Sequence, residues 1–419
     1  MKHHVLYLTY DGLTDPLGQS QILPYLAGLS RQGFEFTILS FEKKGRLEKE
    51  GALVRTITEA ANIQWIPLVF TAKPPILSKI YDRYRMWRTA LTLHRKHNFQ
   101  MTHCRSYVSA EVGLRLKKEC GVKMLFDMRG FWADEKIDNG QWDINKPLYK
   151  KIYQHYKKKE KEFLLEADGV VSLTQAAKEY LLAKQDYKDL FIEVIPCCAD
   201  LDHFDYRKIT EEKKRTTRKS LKINDTAKVI SYVGSFGGWY MTKEMFAFVR
   251  LLQSKHPEYI LLFLTKDDPE KVKAEAEKAG IALSKLIVLY VSRPALPTYI
   301  ALSNCSIFFI RNTFSKMASS PTKHAELMGM GVPVICNTIG DTGTIINTTQ
   351  TGYLVNSFGE EALNKAIESL PLVEAIGKDH IRNCGAEFFD LQFGITKYLS
   401  VYKKIVSAFM CPTVAATHE

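Results

Sequence analysis

Lysine is an unusual residue for the first turn of a helix, yet the stretch SSPTKHAELMGMGVPVIC, Ser319 to Cys336, places one there. Ser320 followed by Pro321 reads as an N-cap and an N1 proline, since the N–H that proline lacks has no intrahelical acceptor at that position. Gly329 or Gly331 ends the helix, and the apolar, β-branched VPVIC continues as a buried strand. Lys323 then sits at about the third helical position, where unpaired N–H groups already present roughly half a positive charge and carboxylates are the usual occupants. Two chemistries would put it there. Lys323 pairs with Glu326, a contact worth a few tenths of a kcal/mol, or an anion, above all a phosphate, binds at the helix start and takes the lysine as a ligand.

The elements around this stretch are expected to be those of a parallel sheet wrapped by helices. Short β-rich runs alternate with helical patterns from the start: HHVLYLTY, FEFTILSF, IQWIPLVF, MTHCRS, VKMLFDM, GVVSLT and IEVIPC. After a basic stretch the rhythm restarts with KVISYVGS, YILLFLT, LIVLYVS, SIFFIR, VPVIC and GYLV. This predicts two doubly wound domains with a seam between about Ala199 and Thr226. Neither opens with G-x-G-x-x-G, so the dinucleotide fingerprint is missing. Ligands in such sheets bind at the carboxyl ends of the strands. The loops to search are therefore DGLTDPLGQSQ, CRSY and DMRGFWADE in the first domain, and GSFGGWYMTK, RNTFSKMASSPTK and NTIGDTGT in the second. The last helical segment, GAEFFDLQFGITKYLSVYKKIVSAFM, follows the final strand and needs a surface for its aromatics, which the seam or the first domain could supply.

At 419 residues and 46% hydrophobic content the chain is long enough for two cores. Eight cysteines form no C-x-x-C, and the adjacent Cys197 and Cys198 read as small core residues rather than a disulfide, which fits a reducing compartment. The N-terminal MKHHVLYLTYDG has too short an apolar stretch for a signal peptide, and no run approaches the ~20 residues of a membrane span, so a cytoplasmic protein is expected. A net charge of +12 calls for a negative partner: nucleic acid, an anionic membrane surface or a phosphorylated substrate. Lysines concentrate in Asn145–Ala167, a long helix whose Leu148, Ile152, Tyr156 and Phe163 line up as one apolar stripe, and in Arg207–Lys222, which reads as a linker or exposed helix start. The lysines of the first helix are either a solvated face or a membrane-facing one.

Taken together, the strand-end loops resemble a retaining glycosyltransferase of family 4 with the GT-B fold, two Rossmann-like domains facing across a cleft. The bacterial enzymes of polysaccharide and cell-surface glycan assembly are the most similar. MTHCRSYVSAEVGL is similar to the family's D-I-I-H-A-H-S, VIPCCADLDHF to V-I-P-N-G-V-D-x-x-x-F, and SPTKHAELMGMGVPVI to K-x-x-E-A-M-A-x-G-x-P-V-I. The resemblance implies an acceptor-side domain over residues 1–200, a nucleotide-sugar domain over 201–385, and a C-terminal helix with a short tail over 386–419 that packs back across the seam. It implies that Glu326, matching the second glutamate of Glu-x7-Glu, accepts from the donor ribose hydroxyls. The donor diphosphate would be held by Gly234, Ser235, Ser319, Ser320, Pro321 and Thr322, with Lys323 and Lys316 as the cations. The implied transfer takes a front-face route in which the departing phosphate receives the acceptor's proton, so helix N–H groups and lysines act electrostatically. No metal and no tightly bound cofactor are implied, and DLD at Asp200 to Asp202 reads as part of the seam.

The chain also departs from the family. Ala318 stands where the first glutamate of Glu-x7-Glu should contact the donor sugar, leaving Ser319 or Ser320 to replace it. Ser235 stands at the position of the family's arginine, and Lys243, Lys316 or Arg293 could supply that charge, Lys316 being preferred. The family's histidine after the fifth strand is Arg129, which cannot act as a base at neutral pH. It orients the donor sugar, binds an acceptor phosphate, or pairs structurally with Asp127 or Asp134. Gly18, Gln19 and Ser20 at the first helix, with His103, Arg105 and Asp127 at strand ends, form the acceptor or cleft group. A helix cap and bonding within the core are their alternatives. Trp132 and Trp142 either stack on an acceptor sugar or pack on the helix starting near Pro147, and Asp341 meets the donor or caps a helix.

The expected function is transfer of a sugar from a nucleoside diphosphate donor to a glycan or lipid-linked acceptor, on the inner face of the plasma membrane. A sugar-nucleotide epimerase or phosphorylase of the same fold is the nearest alternative, but neither the acidic and histidine pattern of the one nor the cofactor lysine of the other is evident. From another class, a nucleic-acid-binding protein would use the charge. The basic runs lack interleaved aromatics and lie outside the expected crevice, so no nucleic acid partner is expected.

Overall fold

Val5, Leu6, Tyr7 and Leu8 are successive residues and all are buried, as parallel strands covered on both faces require. They lie in β1 (His3–Thr9), an interior strand of the first of two sheets in a computed structural model that describes residues 3–407. The other strands of this sheet are β2 (Phe34–Glu42), β3 (Gln64–Val69), β4 (Met101–Arg105), β5 (Lys123–Asp127), β6 (Gly169–Ser172) and β7 (Ile192–Val194). Their order is β3-β2-β1-β4-β5-β6-β7, and every pairing is parallel. The second sheet holds β8 (Lys228–Val233), β9 (Tyr259–Leu264), β10 (Leu286–Leu289), β11 (Cys305–Phe308), β12 (Val334–Cys336) and β13 (Gly352–Leu354), in the parallel order β10-β9-β8-β11-β12-β13. Each β-rich run of the sequence is one of these thirteen strands.

In each sheet the strand order reverses once, between β1 and β4 in the first and between β8 and β11 in the second. The chain leaves neighbouring strands there in opposite directions, opening a crevice at their carboxyl ends. That point positions both groups of candidate residues.

The chain divides into two compact units, Cys197–Asp390 and a unit made of residues 3–196 with 391–407. The C-terminal segment expected as one piece from residue 386 is two helices. Lys378–Phe389 stays in the unit of the second sheet, with Ile381 and Phe389 in its core. Asp390 is extended and breaks the helix, and Leu391–Ser407 then joins the first unit. There Tyr402 Oη bonds His103 Nδ1 at 2.6 Å and the ring of Tyr402 meets Phe34 edge-on. The expected tail, residues 408–419 with Cys411, lies outside the described residues.

The lysine-rich segment forms the helix Pro147–Glu166. Phe163 is fully buried but Leu148 is 57% exposed, so the expected apolar stripe serves the core only at its C-terminal end. Several of its lysines are committed to carboxylates: Lys157 to Asp134 and Glu160, Lys159 to Glu162, and Lys161 to Asp186. Within Arg207–Lys222 the helix Glu211–Ser220 is capped by Thr210 and has no buried residue. The cysteines among the described residues are free thiols, Cys197 and Cys198 buried. Among the described residues no helix is long and apolar enough to cross a membrane.

Candidate functional site

In the second unit the candidate residues converge where β8 and β11 diverge. Gly234 directly follows β8 at φ +143°, a conformation that favours glycine, and a β-carbon there would come within 2.4 Å of Lys323 Nζ and displace it. Lys323 is the second residue of the helix Thr322–Gly329. Pro321, not Ser320, occupies the N-cap position, and Ser320 Oγ instead accepts from the Cys197 N–H at 3.1 Å. The serine is spent on holding the start of its own unit, so the helix opens one residue later than the serine-proline pattern suggests. Thr322 and Lys323 thus carry N–H groups of the first turn, where the helix presents its partial positive charge.

The lysine itself is 7% exposed. Its Nζ donates to Tyr232 Oη at 3.3 Å and lies 3.8 Å from the ring centre of Tyr240 and 4.3 Å from that of Tyr232. Burial pulls its pKa down to about 7, only partly opposed by the Glu326 carboxylate. Glu326 does not pair with it: Oε1 accepts from Arg293 Nη1 at 2.8 Å, and Arg293 in turn lies over the Phe204 ring. Arg293, one of the alternative cations, is therefore committed to the glutamate. Lys316, on the 3-10 turn Phe314–Ala318, is also buried and sets its Nζ 3.7 Å from the ring centre of Trp239. Lys243 is exposed in the first turn of the helix Thr242–Lys255. Ala318 is a buried methyl. Asp341 occupies the N-cap position of the helix Thr342–Thr349.

Both lysines thus rest on aromatic rings of the loop between β8 and the next helix, contacts worth up to about 2 kcal/mol when desolvated. Tyr232 Oη donates to Ser235 O at 2.6 Å and Asp267 accepts the Phe236 N–H, which ties the loop to the sheet. Beside Lys323, His324 is fully buried between Phe308 and Phe389, and burial holds its pKa down at about 4. It is a neutral core histidine.

The other candidates lie in the first unit, where β1 and β4 diverge. Asp127 at the end of β5 is buried and central: Oδ2 lies 3.3 Å from His103 Nε2 and 3.7 Å from Arg105 Nη1, while Oδ1 lies 3.7 Å from Arg129 Nη1. Burial alone would raise this carboxyl, but Arg129, His103 and Arg105 outweigh it and hold its pKa at about 2. His103 is bonded on both ring nitrogens, to Asp127 and Tyr402, and its pKa is lowered by burial. His103 is therefore bonded within the core, and Arg105 beside it is held there too, by the same Asp127 and by Tyr7. Arg105 is 5% exposed, and its Nε, 3.5 Å from Asp11 Oδ2, makes no hydrogen bond. Arg129 adopts φ +57°, a left-handed conformation that costs a non-glycine residue about 1 kcal/mol or more. Asp134, its other expected partner, binds Lys157 and Tyr153 instead.

Gly18 and Ser20 serve the first helix's own packing. A β-carbon at Gly18 would meet Gly12 O at 2.3 Å, and Ser20 Oγ donates to Pro16 O; Gln19 is partly exposed beside them. Trp132 and Trp142 pack on Tyr156 of the Pro147–Glu166 helix, at 4.8 and 5.8 Å between ring centres. Glu42 was not singled out by sequence. Fully buried at the end of β2, it accepts from the Leu13 and Thr14 N–H groups and from the hydroxyls of Thr14 and Ser40, and so fixes the loop after β1.

Comparison with known proteins accounts for both units. Residues 22–203 match the family described as "Glycosyltransferase Family 4" and residues 213–379 the one described as "Glycosyl transferases group 1". A D-inositol 3-phosphate glycosyltransferase of Segniliparus rotundus is 21% identical over 304 residues, which is 70% of this chain and 64% of that protein's length. Among solved structures, a glycosyltransferase from Rickettsia africae has a TM-score of 0.68 at 19% identity over 97% of this chain and 99% of its own. Sucrose-phosphate synthase from Thermosynechococcus elongatus gives 0.71 at 15% identity over 97% and 100%. HepE of Anabaena, solved with UDP-glucose, gives 0.66 at 14% identity over 97% and 99%. These matches do not favour the epimerase, phosphorylase or nucleic-acid readings. The first parallel-sheet domain thus matches the family 4 and the second the group 1 glycosyltransferases, and the chain is a glycosyltransferase of the GT-B fold.

Proposed function

We propose that the protein is a retaining glycosyltransferase that moves a sugar from a nucleoside diphosphate donor to a glycan or lipid-linked acceptor in polysaccharide synthesis, working at the inner face of the membrane. The observation that carries the reading is Lys323. It is a buried amine at a helix start, set against Gly234 and two tyrosines, with the Glu326 carboxylate bonded elsewhere. Such a group is poorly solvated and gains most from an anion with its own formal charge. A diphosphate fits, and UDP and UDP-glucose, with which HepE forms complexes, are the first ligands to try.

In this reading the first-turn N–H groups and Lys323 hold the diphosphate, Lys316 approaches it from the preceding turn, and Glu326 receives the ribose hydroxyls. As the sugar–oxygen bond to phosphate breaks and the bond to the acceptor oxygen forms on the same face, the departing phosphate takes the acceptor proton. The two lysines offset the charge that builds on it. Arg129 and Arg105 orient sugar or acceptor, with Asp127 fixing both guanidiniums.

The test is transfer of labelled sugar from UDP-, GDP- and ADP-sugars into a membrane-lipid extract, with product anomeric configuration read by NMR. One donor should be used with configuration retained. Glu326→Ala should raise KM, and Lys323→Met should lower kcat on the order of a hundredfold. Unaltered kinetics in both variants would exclude this site.

A further inference from the structure

The helix Pro75–His97 in the first unit turns its apolar side outward. Leu77, Ile80, Tyr81 and Tyr84 are 64%, 49%, 54% and 55% exposed. Their spacing is i, i+3, i+4 and i+7, one continuous stripe on a helix. The opposite face is the one that packs: Ser78, Asp82, Met86, Trp87 and Ala90 are buried. Asp82 anchors that face by accepting from the N–H and hydroxyl of Thr71 and from Tyr10 Oη. The stripe is therefore surplus to the core of its own unit.

Charge identifies the occupant. The helix carries six lysines and arginines, Lys79, Arg83, Arg85, Arg88, Arg95 and Lys96, against the single carboxylate of Asp82. Arg83 is paired with Glu111 and Arg85 with Asp82. Arg88 and Arg95, four and eleven residues after Tyr84, continue the face of the stripe and are exposed, as are Lys79 and Lys96 on other sides of the helix and Lys73 just before it. Aliphatic and tyrosine side chains flanked by cations match the boundary of an anionic bilayer, where apolar groups enter the acyl edge, tyrosines sit at headgroup level and lysines meet the phosphates. The more lysine-rich helix Pro147–Glu166 fits this role less well, because Lys157, Lys159 and Lys161 are already held by carboxylates.

We propose that the Leu77, Ile80, Tyr81 and Tyr84 face of the Pro75–His97 helix docks the protein in the headgroup plane of an anionic lipid bilayer. The inference deepens the reading of a membrane-side acceptor, and its test is independent of sugar transfer. The full-length protein is floated with phosphatidylcholine vesicles, with and without phosphatidylglycerol. Wild type should float with the anionic vesicles and be released by salt. Leu77→Ser with Tyr84→Ser should abolish flotation, and Arg88→Glu with Arg95→Glu should weaken binding by roughly fivefold or more for each cation lost. Lys150→Glu with Lys158→Glu on the other helix should bind as wild type, and all variants should keep the wild-type unfolding midpoint. Failure of wild type to bind anionic vesicles, or equal binding by the stripe variants, would overturn the proposal and leave a protein partner for this face. Flotation without sugar transfer would fault the transfer reading alone, and transfer without flotation would fault only the docking.

Discussion

At the residue scale Lys323 makes the sharpest demand on its surroundings. A charged amine enclosed by Tyr232 and Tyr240 lowers stability unless an anion joins it. Its folded pKa of about 7 lies below the ordinary value of 10.5, so the unfolded chain holds the extra proton between those limits. Stability contributed by this group therefore rises with pH across that window, and the penalty is complete below it. Lys323→Met should stabilise the protein by on the order of 2 kcal/mol near pH 6 and by less near pH 10. Thermal melts of the two proteins across this range check it, and a pH-independent difference would contradict it. Asp127 stabilises where Lys323 destabilises, and its contribution likewise rises with pH. Its carboxyl, held at about 2, contributes stability that is present above its ordinary 3.8 and lost as pH falls toward 2. Asp127→Asn should cost on the order of 2 kcal/mol at neutral pH, with the difference from wild type shrinking below about pH 4 in urea titrations.

At the element scale the loops are held by carboxylates far away in sequence. Glu42 anchors the loop after β1 through Leu13 and Thr14, and Asp267 anchors the loop after β8 through Phe236. Glu42→Ala would leave buried donors unsatisfied and should lower stability by about 3 kcal/mol, measurable as a lower urea midpoint with unchanged slope. Every strand was legible in the sequence because buried parallel strands are written as short β-branched and aromatic runs between turn residues. The loop anchors were not, since an acidic residue carries no local mark of the N–H groups it will meet. The misplaced cation at position 323 was visible, but its tyrosine and glycine neighbours lie some ninety residues earlier and no periodicity links them. Ser320 misled for a related reason: a serine before proline fits an N-cap, but here its hydroxyl serves Cys197. On the Pro75–His97 helix the apolar spacing alone could not tell an outward stripe from a core one, and only the burial of Asp82 and Met86 on the other face orients it.

At the scale of the whole molecule, the last helix belongs to the first unit although the second unit comes between them in the chain. Tyr398, Tyr402 and Ile405 of that helix are buried, and Tyr398 and Tyr402 bond the Asp127 and His103 side chains. Ending the chain after Asp390 should therefore lower the melting transition of the first unit by several degrees for each kcal/mol lost while leaving that of Cys197–Asp390 in place, as calorimetry would resolve. A uniform shift of a single transition would contradict this division. The proposed reading requires that the start of the Thr322–Gly329 helix and Lys323 hold a nucleoside diphosphate in the second unit. Amide hydrogen exchange of the full chain, with and without saturating UDP, GDP or ADP, tests it most directly. One of the three should slow exchange in peptides spanning residues 234–241 and 316–326, an effect weakened in Glu326→Ala. Protection confined to other peptides, or none with any of the three, would contradict it.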